Sequence, residues 1–500
     1  DIALGSRPGL PGFPTDPRCA RPRRRCRSTM SLAIVWFRRD LRLQDNPALA
    51  TALSNHRQVL PLYIHAPQEE APWQPGAASR WWLHHALTDL SEQLAGCLLI
   101  QSGDSLPVLQ EIVERSGAAA VYWNRLYEPA AVARDTEVKQ RLRAVNIGAE
   151  SGNAALLFEP WEIKNKQKLP FRVFTPFWKR LQEAGLPQAR DKGTDLRSRI
   201  VGPTTFKGIE QRALESLKLL PSTRWDSGMH AAWQPTRAAA EARLEEFLAT
   251  EVRHYAQGRD LPARDQVSRL SPYLHFGQLG PREVVSACRR ERQTAAEYLR
   301  ELGWREFAHH LLFHFPHTSE AALDPRFAAF PWRDDAVALR AWQQGDTGIP
   351  LVDAGMRQLW AIGWMHNRVR MIVASLLTKN LLLPWQAGAR WFWDTLVDAD
   401  LASNTLGWQW TAGCGADAAP YFRVFNPVLQ GEKFDPDGGY VRRWVPALSA
   451  LPNKWIHRPW DAPDGVLAEA GVALGRDYPH PIVDLKATRQ RALDAWSKVK

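Results

Sequence analysis

Residues 398–410 combine two carboxylates, an amide and two indole rings in one short stretch. Their reactive side chains belong to Asp398, Asp400, Asn404, Trp408 and Trp410. A polar, glycine-containing stretch of this kind predicts an irregular loop, and a loop that exposes aromatic rings is too costly to be maintained for packing alone. The composition therefore favours a functional site here.

A second segment places an acid, a large aromatic ring and a cation on one helical stripe. Glu301, Trp304 and Arg305 are spaced i, i+3 and i+4, so they share one face of the helix predicted over residues 295–315. The stripe is either a salt-bridged surface patch or a platform where a flat base stacks on Trp304 while Glu301 hydrogen-bonds its edge.

A third segment, residues 363–371, predicts a helix with functional groups on one face. Asn367, Arg370 and Met371 share that face. Arg370 needs an anionic partner because an unpaired buried charge is costly, and Asp398 is a natural candidate. An ion pair of this kind would serve the scaffold equally well.

A fourth segment, residues 268–277, places clustered hydroxyls and Arg269 ahead of a predicted helix. This arrangement suits a phosphate or pyrophosphate, and it equally suits a helix cap with a salt bridge. The sequence alone leaves both interpretations open.

The elements that must position these segments fall into two classes. Short apolar runs alternate with helical spacing up to about residue 160, which predicts a doubly wound, Rossmann-like parallel sheet. The predicted strands are residues 32–37, 59–64, 97–101, 119–123 and 154–158, and the predicted helices between them include 78–94 and 131–145. No G-x-G-x-x-G follows the first strand, which argues against an ordinary NAD enzyme.

Helical periodicity dominates the second half of the chain, with continuous patterns over stretches such as 349–380 and 387–397. The predicted organisation is therefore a basic, disordered leader, an α/β domain, an interdomain linker and a large all-helical domain. These parts cover residues 1–30, 31–160, 161–235 and 236–500.

Composition and charge limit the class of protein further. The chain has 45% hydrophobic and 23% charged residues, no run of apolar residues long enough to span a membrane, and a formal charge of +11. The leader holds seven Arg and two Asp, so the rest of the chain carries only a modest positive charge that is compatible with a polyanionic partner. Five cysteines without a C-x-x-C pair favour a reducing cytosol and predict no metal site.

Taken in order, the functional segments and the opening stretch of residues 36–42, Trp-Phe-Arg-Arg-Asp-Leu-Arg, resemble the photolyase/cryptochrome family. The resemblance is greatest to class I photolyases that act on cyclobutane pyrimidine dimers, and it runs from about residue 32 to residue 496. It implies an α/β domain followed by a helical domain that holds FAD in a folded conformation.

The resemblance also implies a set of cofactor contacts, with Arg370 paired to Asp398 and Asn404 beside the reactive flavin nitrogen. The implied FAD-binding residues are Tyr255, Ser268, Arg269, Leu270, Ser271, Arg370, Asp398, Asp400 and Asn404. A second, antenna chromophore (a folate, a deazaflavin or another flavin) is common in the family. The residues that mark a folate or a deazaflavin site are replaced here, by Ala130-Ala131 and His275.

The implied partner is DNA that contains a pyrimidine dimer, flipped out of the duplex into an aromatic slot. The implied lesion- and DNA-binding residues are Arg259, Glu301, Trp304, Arg305, Asn367, Arg368, Met371, Trp410 and Gln430. In the implied mechanism, light-excited, reduced anionic FAD gives an electron to the dimer, the cyclobutane ring splits and the electron returns. Glu301 would stabilise the dimer radical anion, and Trp332, Trp385 and Trp408 would relay electrons to oxidised flavin.

Single residues separate dimer repair from its alternatives within the family. A (6-4) photolyase would carry a second histidine where this chain has Asn367, and a plant-type cryptochrome would carry Asp near Asn404 and a C-terminal tail. A single-strand-preferring, DASH-type cryptochrome usually has Tyr at the position of Trp410. We expect a monomeric, cytoplasmic bacterial repair enzyme, with a light sensor that acts only through a protein partner as the remaining alternative.

Overall fold

A computed structural model describes residues 31–189, 198–290, 295–418 and 422–499. The predicted leader, residues 1–30, lies outside the described part. Within that part, no helix is both long and apolar enough to cross a bilayer.

The first part of the chain is a five-stranded, all-parallel sheet in the order β3-β2-β1-β4-β5. Its strands and helices are β1 (Leu32–Phe37), α1 (Pro47–Asn55), β2 (Gln58–His65), α2 (Ala77–Gln93), β3 (Leu99–Ser102), α3 (Ser105–Ser116), β4 (Ala120–Asn124), α4 (Pro129–Ala144) and β5 (Gly148–Gly152). Every residue of β1 is buried, as a central parallel strand requires. Alternate β1 side chains pack with α1 and α2 on one face and with α3 and α4 on the other, which confirms the doubly wound prediction.

The prediction of a strand over residues 154–158 is wrong. The fifth strand is β5, whereas residues 154–158 form no strand. Those residues are apolar because they pack against the helical part of the molecule, where the backbone N–H groups of Leu157 and Phe158 donate to the Glu306 carboxylate. An apolar run of five residues fits a buried connection as well as a strand.

The rest of the described chain is helical, as predicted. Its helices are α5 (Phe174–Ala184), α6 (Ser227–Ala232), α7 (Arg237–Glu246), α8 (Tyr255–Gly258), α9 (Ser271–His275), α10 (Pro281–Arg290), α11 (Ala296–His314), α12 (Ala336–Gln344), α13 (Pro350–Ile362), α14 (Asn367–Ser375), α15 (Trp385–Thr395), α16 (Leu401–Ala412), α17 (Pro427–Phe434), α18 (Gly439–Trp444), α19 (Asn453–Ile456), α20 (Asp464–Glu469) and α21 (Leu485–Ser497). The stretch predicted as a linker, residues 161–235, contains α5 and α6.

Two predictions about local structure are wrong in this region. Residues 398–410 are not an irregular loop: the Asp400 side chain accepts a hydrogen bond from the backbone N–H of Ser403 and caps α16. The helical pattern over 349–380 is interrupted, because Gly363 ends α13 with φ +65° and the chain turns before α14 begins at Asn367. Residues 363–366 therefore form a connection rather than a helix.

Gly277 marks a close backbone contact between the sheet part and the helical part. It has φ +68°, and a Cβ there would lie 2.3 Å from the carbonyl oxygen of Arg39 and 2.6 Å from the Cα of Asp40. The fully buried Arg42 guanidinium donates to the Gly277 carbonyl oxygen at 2.8 Å. Only glycine satisfies both the conformation and the space at this position.

We predict that Gly277→Ala lowers the free energy of unfolding by about 3 kcal/mol or more, because strain at positive φ is added to a backbone clash. Gly471→Ala is the matched control: Gly471 also has φ +68°, but a Cβ there would meet nothing within 4 Å. Its cost should be about 1 kcal/mol. Urea unfolding of the two variants checks this, and equal losses would contradict the contact argument.

Candidate functional site

A large open cavity in the helical part contains most of the residues singled out from the sequence. It has a volume of about 680 Å³ and lies between α8, α9, α11, α14 and α16. The predicted site residues that line it are Tyr255, Arg259, Ser268, Arg269, Leu270, Ser271, Glu301, Trp304, Arg305, Asn367, Arg368, Arg370, Met371, Asp398, Asp400 and Trp410. Segments far apart in the sequence thus meet around one space.

An ion pair between Arg370 and Asp398 lines one side of this cavity. The guanidinium of Arg370 donates to both carboxylate oxygens of Asp398, at 3.1 and 2.8 Å, and also to the Met365 carbonyl oxygen. The Ser271 hydroxyl donates to the same carboxylate at 2.6 Å. Asp398 is buried, so these donors offset the cost of removing its charge from water.

Asp400 connects three helices at the inner end of the cavity. Its carboxylate lies 3.4 Å from Nε2 of His309 on α11 and 3.6 Å from Nδ1 of His275 on α9. Burial alone would raise the pKa of Asp400, but the charge of His309 and the hydrogen bonds from both imidazoles hold that pKa well below its ordinary value. Burial works to lower the pKa of His309, yet Asp400 outweighs it and raises that pKa.

We predict that Asp400→Asn lowers the pKa of His309, because burial then acts without an opposing carboxylate. In the wild type, the raised pKa means that this pair stabilises the fold at pH below about 6.5 and that the contribution is lost as the pH rises through the raised value. The stability difference between wild type and variant should therefore be largest in mild acid, at about 3 kcal/mol.

Histidine side-chain NMR titration, combined with unfolding measured at several pH values, checks this. His310 is an internal reference because burial lowers its pKa to about 3 through contacts that do not involve Asp400. If His309 titrates identically in the two proteins, the assigned pairing is wrong.

Charged residues at the cavity wall are paired with protein groups. Arg259 forms a very short contact with the Glu301 carboxylate, and Arg368 donates to Asp260 at 2.7 Å. Arg305 donates to the carbonyl oxygen of Ala155 at 2.6 Å. The acid and cation of the predicted α11 stripe therefore do not pair with each other, which argues against the simple surface-patch interpretation.

Trp304 presents only one of its faces to the cavity. Phe174, at the start of α5, stacks on the other face with ring centroids 3.7 Å apart and planes 9° from parallel. Trp410 is partly exposed and lines the same cavity from α16. Aromatic surfaces from two helices are thus available to a flat ligand.

Five predicted residues lie outside the cavity lining. Asn404 is on α16, where its amide donates to the Ala389 carbonyl oxygen at 3.0 Å, and Gln430 is on α17. Trp385 and Trp408 are buried, and Trp332 is partly buried against Phe330 with centroids 4.4 Å apart. The ring of Trp408 contacts Phe392 and Trp342 at 5.0 and 6.1 Å. The roles of these five residues stay predictions.

Sequence reasoning missed several residues that line the cavity. Trp364 lies between two cations, with the guanidinium carbons of Arg269 and Arg370 at 5.2 and 6.0 Å from its ring centroid. Its position within residues 363–371 was the available signal. Asp417 accepts a hydrogen bond from the backbone N–H of Phe174, and burial raises its pKa. Nothing in the sequence around Asp417 marks it.

A second, much smaller cavity, of about 60 Å³, lies at the carboxyl ends of β1, β2 and β4. Residues such as Arg38, His65 and Leu126 line it, and His275 borders both this cavity and the large one. This edge contains a topological switch point, because the chain passes from β1 to β2 and β3 on one side and then crosses to β4 and β5 on the other side of β1. Ligands of parallel sheets bind at such points.

Family models match both parts of the chain. Residues 33–193 match the model described as DNA photolyase, and residues 298–498 match the FAD binding domain of DNA photolyase. The chain is 46% identical over 476 residues to the deoxyribodipyrimidine photo-lyase of Agrobacterium fabrum, which covers 93% of this chain and 98% of the relative. The chain belongs to the photolyase/cryptochrome family.

Similarity extends to both branches of the family. Cryptochrome-2 of Arabidopsis thaliana is 40% identical, over 93% of this chain and 79% of the cryptochrome. A bacterial class III photolyase from Agrobacterium tumefaciens has a crystal structure that matches with a TM-score of 0.89 and 44% identity, covering 94% of this chain and 98% of that one. The greater resemblance to class I photolyases therefore stays a prediction from the sequence.

FAD is the cofactor of this domain, and the large cavity has the chemistry to hold it. The volume of the cavity falls in the upper part of the roughly 300–1,000 Å³ range of typical ligand sites. Arg269 and the hydroxyl of Ser268 line it with groups that bind phosphate, and the Asp265 carboxylate, 3.1 Å from Nε of Arg269, helps to position that guanidinium. The Arg370–Asp398 pair offers fixed donors and acceptors for the edge of a flat ring.

Proposed function

We propose that this photolyase-family protein repairs cyclobutane pyrimidine dimers in DNA under blue light. One observation carries the proposal: most of the predicted flavin contacts and most of the predicted lesion contacts line one continuous cavity. Ser271 and Asp398 lie on its lining together with Glu301 and Trp410. A dimer flipped into this cavity would lie beside the cofactor, as short-range electron transfer requires.

FAD, when bound and reduced, supplies an electron that light makes available to a neighbouring acceptor. The contribution of the chain is to bind and orient the acceptor. Trp410 and the open face of Trp304 would hold the fused rings by stacking. Arg259 would place hydrogen-bond donors and positive charge where negative charge accumulates on the pyrimidine carbonyl oxygens, and the Glu301 carboxylate would hold that guanidinium in place.

Within the family, two features favour dimer repair over the alternatives. Asn367 occupies the place of the second histidine expected of a (6-4) photolyase, and it lines the cavity. Asn404, rather than an acid, follows the Asp400 cap. A cryptochrome-type photoreceptor is the second candidate, supported by the 40% identity to cryptochrome-2.

An antenna chromophore that serves the same function would bind at the smaller cavity. It lies next to the flavin cavity, and His275 borders both. Its lining is mixed, with arginines at the β1 end and aromatic rings such as Trp36 and Trp393. The absorption spectrum of the purified protein identifies the chromophore. A monomeric state and a cytosolic location remain predictions from the sequence.

The deciding experiment illuminates the reduced holoenzyme with oligonucleotides that carry either a cyclobutane dimer or a (6-4) photoproduct. We expect thymines to be restored from the cyclobutane dimer only, and only in the light. If thymines are restored from the (6-4) photoproduct instead, the protein is a (6-4) photolyase and the cyclobutane-dimer proposal is wrong. If neither lesion is repaired while flavin is bound, the repair proposal fails and the photoreceptor becomes the better candidate.

We predict that Glu301→Ala lowers the quantum yield of repair at least several-fold, because Arg259 loses the carboxylate that holds its donors where charge develops. Binding of undamaged DNA should remain. Glu297→Ala is the matched control, since Glu297 is exposed on the same helix, one turn earlier, and does not line the cavity. An unchanged quantum yield in the Glu301 variant would remove this residue from the mechanism.

A further inference from the structure

Residues 163–182 form the most strongly charged exposed segment near the flavin cavity. They contain six Lys or Arg and no Asp or Glu. All six cations are exposed: Lys164, Lys166, Lys168, Arg172, Lys179 and Arg180. The sequence predicts a linker here, with no function of its own.

The segment is fixed beside the lesion-binding side of the cavity. Its helix α5 begins at Phe174, whose ring stacks on Trp304 and whose backbone N–H donates to Asp417. Upstream, the backbone N–H of Phe171 donates to His310 at 3.0 Å, and His314 lies 3.0 Å from the Pro160 carbonyl oxygen. The segment therefore follows α11 from Trp304 towards its carboxyl end.

Within the segment, residues 165–169 form a preorganised turn that presents two lysines. The Asn165 side chain accepts hydrogen bonds from the backbone N–H groups of Gln167 and Leu169, both at 2.9 Å. Lys168 has φ +63°. The turn keeps Lys166 and Lys168 exposed, together with a Leu169 side chain that is 59% exposed.

The part of α11 that the segment follows is short compared with a turn of duplex DNA. Ten residues of α11 separate Trp304 from His314, which corresponds to about 15 Å along the helix axis. That is less than half of one turn of B-DNA, about 34 Å. Cations at this distance meet phosphates that flank a nucleotide flipped into the cavity, and they read no sequence.

We propose that the segment of residues 163–182 is a DNA-binding surface that contacts the phosphate backbone flanking the lesion, through Lys166 and Lys168 above all. The proposal rests on the proposed repair function, because it assigns a second contact area to the same DNA. Three features carry it together: concentrated positive charge, a turn fixed by its own side chain, and direct packing of α5 on Trp304. The occupant is duplex DNA, since a lesion without flanking phosphates would not extend to the turn.

The test compares Lys166→Gln/Lys168→Gln with Lys207→Gln/Lys218→Gln. The control removes the same charge from two exposed lysines of the stretch that packs beside β2 and β3. Fluorescence anisotropy with a lesion-containing duplex between about 50 and 200 mM salt gives the affinity and its salt dependence. Light-driven splitting of a free thymine-dimer dinucleotide, which has a single internal phosphate, gives the activity of the cavity alone.

We expect the Lys166/Lys168 variant to bind the duplex roughly tenfold more weakly at about 150 mM salt, with a slope of log affinity against log salt that is smaller by roughly 2. Its flavin content and its splitting of the dinucleotide should match the wild type. The control variant should change neither the duplex affinity nor its dependence on salt. Unchanged duplex affinity overturns the proposal, and so does a loss of dinucleotide splitting, which would indicate damage to the cavity. If the wild type splits no dinucleotide in the light, the repair function fails, whereas the duplex comparison still decides whether this surface binds DNA.

Discussion

The carboxylate of Asp400 holds together three of the helices that line the large cavity. One of its oxygens accepts the backbone N–H of Ser403 in the first turn of α16, and the other faces the imidazoles of His275 on α9 and His309 on α11. Each of these helices contributes a different set of groups to the cavity. A carboxylate buried this deeply is stable only while all its donors stay in place, so it fixes the relative positions of the helices. The cavity can remain wide because its geometry is set by directional contacts at its inner end rather than by side chains that fill it.

Charge at the cavity wall follows a consistent pattern. Arg370 with Asp398, Arg259 with Glu301 and Arg368 with Asp260 form local pairs around an apolar and aromatic interior. Pairing lets a protein keep many charged groups around an open space without a large net field. It also means that a bound anion would exchange partners with groups already in position, at little cost of reorganisation.

Much of the fold and part of the site were predictable from the sequence, for identifiable reasons. The strand β1 and the helices α2 and α4 follow from apolar periodicity, which burial enforces directly. The Arg370–Asp398 pair followed from the cost of an unpaired buried charge. The structure of residues 398–410 did not, because a polar stretch with a glycine predicts a loop until Asp400 is seen to cap it.

Other features depend on tertiary contacts that no local pattern encodes. Phe174 has no sequence signal as a wall of the cavity, since its role comes from stacking on a ring 130 positions away. Residues 154–158 are apolar because they pack against the helical part of the molecule, and this apolar run resembles a strand in the sequence. Local sequence shows which residues are buried, but it does not show against what they are buried.

The stacking of Phe174 on Trp304 has a consequence for the modularity of the molecule. The connecting segment supplies one wall of the site, and Leu157 and Arg42 tie the sheet to α11 and Gly277. The connecting segment is consequently part of the packed structure of the helical half and not only a link between the two parts. Recombination between relatives should preserve function only where the crossover keeps residues 154–184 with the helices that they cover, so the evolutionary unit is larger than the catalytic half.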